Sequence, residues 1–322
     1  MKNCSLHRQR AAAGLAALAL ALPIAAPAAH AQGPAPAPGA APVNRGNPNQ
    51  TWADQQKEQA WATQKLDQSP RRHEWVSIPT VGGRTIKAFV TYPQGKPKAP
   101  VVVVLHEVFG LTDSTRNTAD EISAMGYITV TPDMLSGFAP NGGGTSDMPT
   151  TRVAGDTTTS IPDPTVDAEL NDVVAYGAGL PQSTGKVGIV GLSWGGGAGF
   201  RYAAWPMHSP ALKLVCVFYD IGPPTPTQGP AKGAGDPPIS VAAINVPVYG
   251  FYGETDKRPL VTIQASKDAM AAAGKTYDPV IYPGADHAFM RVGEDPRDKN
   301  PNNAPAVKAA LARLKTILAS LE

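Results

Sequence analysis

Cysteine, charge and aromatic side chains are all scarce in this chain. Only two cysteines occur in 322 residues, and Cys4 lies in the leading segment. If that segment is removed, Cys216 stands alone, which excludes an intrachain disulfide. Cys216 sits in a strand-like run and reads as a small buried residue. Charge is balanced: 28 Lys and Arg against 26 Asp and Glu give a formal net charge of +2. Lys2, Arg8 and Arg10 stand in the leader, which holds no acidic residue, so its loss carries the formal charge from +2 to −1. The slight basic excess therefore belongs to the leader, and nucleic acid is not an implied partner. No internal repeat is evident.

The leader has the build of a secretory signal peptide over residues 1–31. Basic residues precede an Ala-rich apolar run from Ala11 to Ala29, and Ala29-His30-Ala31 supplies a small-x-small cleavage pattern. Pro23, Pro27 and that pattern argue against a membrane anchor, so no stable membrane insertion is expected after cleavage. Gln9 splits Arg8 from Arg10, against the twin-arginine route, and Cys4 precedes the apolar run, where a lipid-attachment cysteine would not be. The expected location is periplasmic or secreted. Residues 32–50, rich in Pro, Ala, Gly and Asn, read as a disordered linker. Residues 51–73 read as an N-terminal helical extension without catalytic chemistry, and residues 74–322 as one large domain.

Within that domain strands alternate with helices. Glu74 to Ile78 and Arg84 to Tyr92 flank the Gly82-Gly83 turn, and Val101 to Leu105 is a continuous β-branched run of the kind buried on both faces. Helices are expected over Ser114 to Met125, Asp167 to Leu180, Gly195 to Ala204, Leu260 to Ala273 and Ala304 to Leu321. Tyr127 to Thr131, Val187 to Val190, Leu214 to Phe218, Val246 to Tyr252 and Thr276 to Tyr282 supply the remaining strands. The alternation implies an α/β fold, an eight-stranded mostly parallel sheet with helices on both faces and ligands at the carboxyl strand ends. Leu135 to Pro164 and Gly222 to Ile239 break it as two long loops, expected to rim a pocket.

The fifth strand ends in Gly191-Leu192-Ser193-Trp194-Gly195, a G-x-S-x-G turn between strand and helix. So tight a turn raises the serine hydroxyl above the sheet and leaves no room for side chains two residues to either side. The helix that follows aims backbone N–H groups at the site. A dinucleotide fingerprint is excluded, because its second glycine would fall on Ser193.

A serine needs a base within hydrogen-bonding reach and a carboxylate to orient that base. His287, past the eighth strand, is the histidine in the expected place, and Asp256, past the seventh, is the expected acid. The order Ser, Asp, His is that of the α/β-hydrolase fold. Asp220, Glu254 and Asp286 are competing carboxylates; Asp220, past the sixth strand, ranks second. Leu105-His106-Glu107-Val108-Phe109-Gly110 ends the third strand. The backbone N–H groups of Val108 and Trp194 are the expected oxyanion hole. No second histidine stands three residues beyond Glu107, so His106-Glu107 does not form a zinc helix and no metal or other cofactor is expected.

Together these residues resemble the dienelactone hydrolase (carboxymethylenebutenolidase-like) family, from about Trp75 to the end. Ile78-Pro79 through Tyr92-Pro93 is similar to the opening hairpin. His106 to Gly110, Pro132-Asp133, Gly191 to Gly196, Gly253 to Asp256 and Asp286 to Phe289 are similar to the glutamate loop, the segment after the fourth strand, the nucleophile turn, the acid and the base. The best-known members carry cysteine where this chain has Ser193, and their loop glutamate, here Glu107, helps activate the thiol. Two arginines hold the substrate carboxylate in dienelactone-cleaving members. Arg291 fits one, but Met134-Leu135-Ser136-Gly137 stands where the other should be. The resemblance implies a serine hydrolase acting on a small-molecule ester or lactone through an acyl-enzyme. An acyltransferase or peptidase with the same triad, and a non-catalytic binding protein on the same scaffold, remain alternatives. The oligomeric state is not readable.

Overall fold

The computed structural model describes residues 1, 49–220 and 240–322. Apart from Met1, Asn49 and Gln50, the expected signal peptide and linker lie outside these residues, as does the whole of Gly222 to Ile239.

Strands form where β-branched and aromatic residues run together. They are β1 (Arg72–Pro79), β2 (Thr85–Tyr92), β3 (Ala99–Leu105), β4 (Ile128–Pro132), β5 (Ser183–Leu192), β6 (Leu212–Phe218), β7 (Val248–Gly253) and β8 (Tyr277–Tyr282). They make one eight-stranded sheet in the order β1-β2-β4-β3-β5-β6-β7-β8. β2 runs antiparallel to both β1 and β4, and every pairing from β4 to β8 is parallel. The extension ends earlier than the sequence suggests, because Arg72 and His73 already pair with Tyr92 and Thr91 in the sheet. Arg72 also lies 3.6 Å over the Tyr92 ring, and the Tyr92 hydroxyl donates to Glu74 at 2.6 Å.

The unbroken valine run of β3 is explained by two cores. Val101 and Val103 face Leu170 and Val173 of α5 (Asp163–Gly179) and Phe200 and Tyr202 of α6 (Trp194–Ala204). Val102 and Val104 face the other way, toward Ile122 of α3 (Asp113–Ala124) and Leu314 and Leu318 of α9 (Asn303–Leu318). Each buried valine contributes roughly 2 kcal/mol, so a strand buried on both sides anchors the layered core. Cys216 belongs to the second core, and burial pushes its thiol pKa well up.

The extension is a helical pair rather than one helix. Thr51 and Asp54 close a capping box on α1 (Trp52–Glu58), and α2 (Ala60–Asp67) restarts after Gln59. Gln59 is buried, and its side-chain oxygen accepts from the Ser114 N–H at 2.8 Å. That anchor bends the chain at a place helical composition does not reveal.

Leu135 to Pro164 is also not the long loop expected. Asp133 folds its start, accepting from Thr145 N (2.8 Å), Thr145 Oγ1 (2.6 Å) and Leu135 N (3.1 Å). Thr150 then caps α4 (Thr151–Ser160), and α5 begins at Asp163, ahead of the expected Asp167. The Thr-rich sequence of α4 has poor helix propensity; its cap and the burial of Thr151, Ala154 and Thr158 compensate. Two elements remain near the carboxyl strand ends, α7 (Lys257–Ala272) and the short α8 (Phe289–Val292).

Candidate active site

Ser193 closes β5 with φ +49° and ψ −120°, a conformation that L residues with side chains avoid. The turn is locked by Ser193 N–H donating to the Phe218 carbonyl at 3.0 Å. A Cβ on Gly191 would stand 2.1 Å from the Gly195 carbonyl oxygen. One on Gly195 would stand 2.6 Å from the carbonyl of Leu105, at the end of β3. Both glycines are therefore required by backbone contact, not by flexibility.

The same logic brings the other loops in. A Cβ on Gly253 would meet the carbonyl oxygens of Ala285 and Asp286, each at 2.5 Å, so the ends of β7 and β8 press directly together. Asp256, at the start of α7, and His287, before α8, are thereby opposed. His287 Nδ1 lies 2.5 Å from Asp256 Oδ2, and His287 Nε2 lies 3.1 Å from Ser193 Oγ. With Nδ1–H donating to the carboxylate, the Nε2 lone pair faces the hydroxyl. The Asp256 side chain is only 2% exposed and that of His287 is 21% exposed, so the inner bond is screened and the outer face is open.

The competing carboxylates are engaged elsewhere. Asp220 pairs with Arg258 at 2.8 Å. Glu254 accepts from Gly284 N–H at 2.8 Å. Asp286 accepts from Thr255 Oγ1 (2.7 Å) and from the amides of Asn300 (2.8 Å) and Asn303 (3.2 Å). These bonds hold its carboxyl below the usual range against the opposing pull of desolvation.

Val108 lies in the turn that Gly110 N–H closes on the Glu107 carbonyl at 3.1 Å, and Trp194 is the first residue of α6. Among the described residues no acceptor engages either N–H. The fully buried His106 stacks on the Trp194 indole at 5.4 Å, with the planes 17° apart. Its Nδ1–H donates to the Glu107 carbonyl at 2.6 Å, and its Nε2 accepts from Met134 N–H at 3.1 Å. Burial lowers its pKa, so both nitrogens serve a neutral ring that positions the turn.

Glu107 faces Arg291, Nε to Oε2 3.0 Å, and accepts from the Tyr219 hydroxyl at 3.3 Å. Burial works against the Arg291 charge, but the adjoining Glu107 carboxylate outweighs it and raises the guanidinium pKa. Arg291 is thus bound to a protein carboxylate rather than presented alone. No arginine stands between Asp133 and Arg152, and Met134 and Leu135, directly after Asp133, are fully buried.

Tyr219 is the residue that the sequence hides. It follows β6 with φ +43°, is fully buried, and sets its ring edge-on to His287 at 5.1 Å. Burial, with the Glu107 charge beside it, raises its hydroxyl pKa well above the ordinary value, which keeps it a donor. Its only sequence signal is a tyrosine placed directly after a strand, next to Asp220.

Known proteins share this arrangement of strands and loops. The model of the dienelactone hydrolase family matches residues 86–321. A Methylorubrum extorquens protein named "Putative carboxymethylenebutenolidase" is 32% identical over 224 residues, which cover 66% of this chain and 71% of that one. The crystal structure of a "Putative Dienelactone Hydrolase" from Klebsiella pneumoniae superposes with TM-score 0.63 at 26% identity, covering 77% of this chain and 98% of that one. An esterase of Pyrobaculum calidifontis shares the fold at TM-score 0.57 and 17% identity, over 86% of this chain and 96% of its own. With the family model spanning most of the chain and the α/β-hydrolase sheet complete, the chain belongs to the dienelactone hydrolase family and is a carboxylic ester hydrolase.

Proposed function

We propose that Ser193 is the nucleophile of an esterase or lactonase that works through an acyl-enzyme, with His287 as general base and Asp256 as its orienting acid. The observation that carries this reading is the unbroken relay from Asp256 Oδ2 through His287 to Ser193 Oγ, at 2.5 Å and 3.1 Å. Ser193 attacks the ester carbonyl while His287 Nε2 takes its proton. Asp256 holds the imidazole in the Nδ1–H tautomer and stabilises the imidazolium. The N–H groups of Val108 and Trp194 receive the oxyanion; one such donor is worth on the order of 3 kcal/mol of barrier. His287 returns the proton to the leaving alkoxide, then activates the water that releases the acid.

Neutral esters suit this site better than small dianionic lactones. Arg291 is committed to Glu107, and no second arginine stands beside it after Asp133. In the same reading the leader exports the enzyme and cleavage leaves Gln32 as its first residue, which N-terminal sequencing of the mature protein checks.

Labelling with a fluorophosphonate, together with turnover of p-nitrophenyl acetate, tests the assignment. The expected result is one adduct on Ser193, and a Ser193→Ala variant that is folded but slower by about a million-fold. Retained turnover in that variant ends the serine mechanism.

A further inference from the structure

The structure carries a cavity that the relay does not use. It measures about 890 Å³ and lies between the α1–α2 pair and the segment that follows His287. This is the size of a ligand site rather than of a packing defect. Asp286, next to the base, and Arg291, one turn further on, belong to its wall. A narrow second cleft shares Gln50, Glu58, Gln59 and Arg291 with it and also touches Phe109, the neighbour of Val108. The cavity thus carries the chain neighbour of the base in its wall, and the cleft beside it carries the chain neighbour of Val108, with Arg291 common to both.

Its lining indicates the chemistry. Five carboxylates (Asp54, Glu58, Asp286, Asp295, Asp298) stand with four cations (Lys57, Arg291, Arg297, Lys299), so neither sign of ligand charge is favoured. The amides of Gln50, Gln59 and Asn300 add donors and acceptors, and Trp61 supplies one aromatic face. Pairs within the wall, such as Arg297 with Asp295 at 2.6 Å, hold these groups in place before a ligand arrives. A neutral molecule with many hydroxyls satisfies such a surface, its C–H face against the indole and its hydroxyls on the carboxylates and amides.

The wall built by residues 50–61 lies outside the span that matches the family model, 86–321. It is nevertheless fastened to the catalytic frame. Gln59 holds the start of α3, and the Gln50 carbonyl accepts from Thr151 N–H at 2.9 Å at the start of α4. Arg297, beyond α8, donates to the Glu58 carbonyl. One side of the pocket thus comes from residues outside the span that the family model matches.

We propose that this cavity is a subsite for the saccharide part of an ester substrate, so that the enzyme removes acyl groups from neutral sugars. The proposal rests on the esterase reading above, and direct binding separates the two. Calorimetric titration of the full-length protein with xylotriose is expected to show millimolar or tighter binding, lost in Trp61→Ala and largely retained in Trp61→Phe. Xylose tetraacetate is expected to show a KM about tenfold higher in Trp61→Ala, with p-nitrophenyl acetate turnover unchanged. Lys57→Ala, at an exposed position on the same wall, gives a second handle that leaves packing intact and is expected to weaken xylotriose binding several-fold. Absence of xylotriose binding in an enzyme that hydrolyses p-nitrophenyl acetate overturns the subsite and spares the esterase. Equal losses on both esters in Trp61→Ala also overturn it, by showing a structural role. Saccharide binding without any ester hydrolysis overturns the esterase reading and, with it, the deacylation of sugars proposed here.

Discussion

Arg291 and Glu107 form an ion pair, Nε to Oε2 3.0 Å, joining the segment after His287 to the turn after β3. The side chains are 21% and 9% exposed, so neither charge is well solvated once its partner is gone. Arg291→Met is expected to cost about 3 kcal/mol of stability, the usual result of stranding one half of a buried pair. Replacing both by Met and Gln is expected to recover much of that loss. Urea denaturation of the single and double variants measures both.

Asp256 and Asp220 separate sharply in function. Asp256→Asn leaves the geometry but favours the wrong imidazole tautomer, and turnover is expected to fall by roughly 10⁴. Asp220 pairs with Arg258, whose side chain is half exposed, so Asp220→Asn is expected to change turnover by less than about fivefold. Steady-state kinetics on p-nitrophenyl acetate decide; a reversed ranking moves the acid to the end of β6.

Gly195→Ala forces a methyl against the carbonyl oxygens of Leu105 and His106, at 2.6 Å and 2.7 Å, and both belong to backbone that cannot step aside. The expected cost is at the upper end of about 1–3 kcal/mol for overpacking, with turnover lost as the elbow shifts. Gly185→Ala, at φ +84° with no atom near its Cβ position, costs only the backbone strain and leaves turnover intact. Melting temperature and activity, measured together, distinguish the two.

Stability should also fall as pH rises through neutrality, because of Glu121. Burial pushes its carboxyl up to about 8, helped by the Glu294 carboxylate beside it, while Lys65 at 3.5 Å pulls the other way. A carboxyl raised in the folded state favours folding at low pH. Its contribution is fully present below about 4.5, its ordinary value, and disappears as pH rises to about 8. Glu121→Gln keeps a neutral group there, so its melting temperature is expected to lose the part of the decline between pH 5 and 8 that this residue causes. Parallel melting curves for the two proteins across that range are the check.

Much of this architecture is legible in the residues, for identifiable reasons. The valine run of β3 can only be a strand buried on both faces, and Gly191-x-Ser193-x-Gly195 admits little besides a strand-to-helix elbow. Asp256 and His287 could be placed because each follows a strand end closed by glycine. What stayed hidden depends on contacts distant in sequence. α4 is Thr-rich and owes its helix to the Thr150 cap and to burial. The break at Gln59 exists because Ser114, on another helix, needs an acceptor. Tyr219 carries no motif, and its place beside His287 follows from a positive φ that no residue type announces.

The left-handed backbone at Ser193 sets activity against robustness. Glycine adopts φ +49° without penalty, so Ser193→Gly should yield an inert protein that melts higher than the parent by the one or so kcal/mol now stored in the elbow, about 1–2 °C for a chain of this size. A screen that rewards heat resistance alone would therefore drift toward losing the nucleophile, and directed evolution of this scaffold must select for turnover at every round.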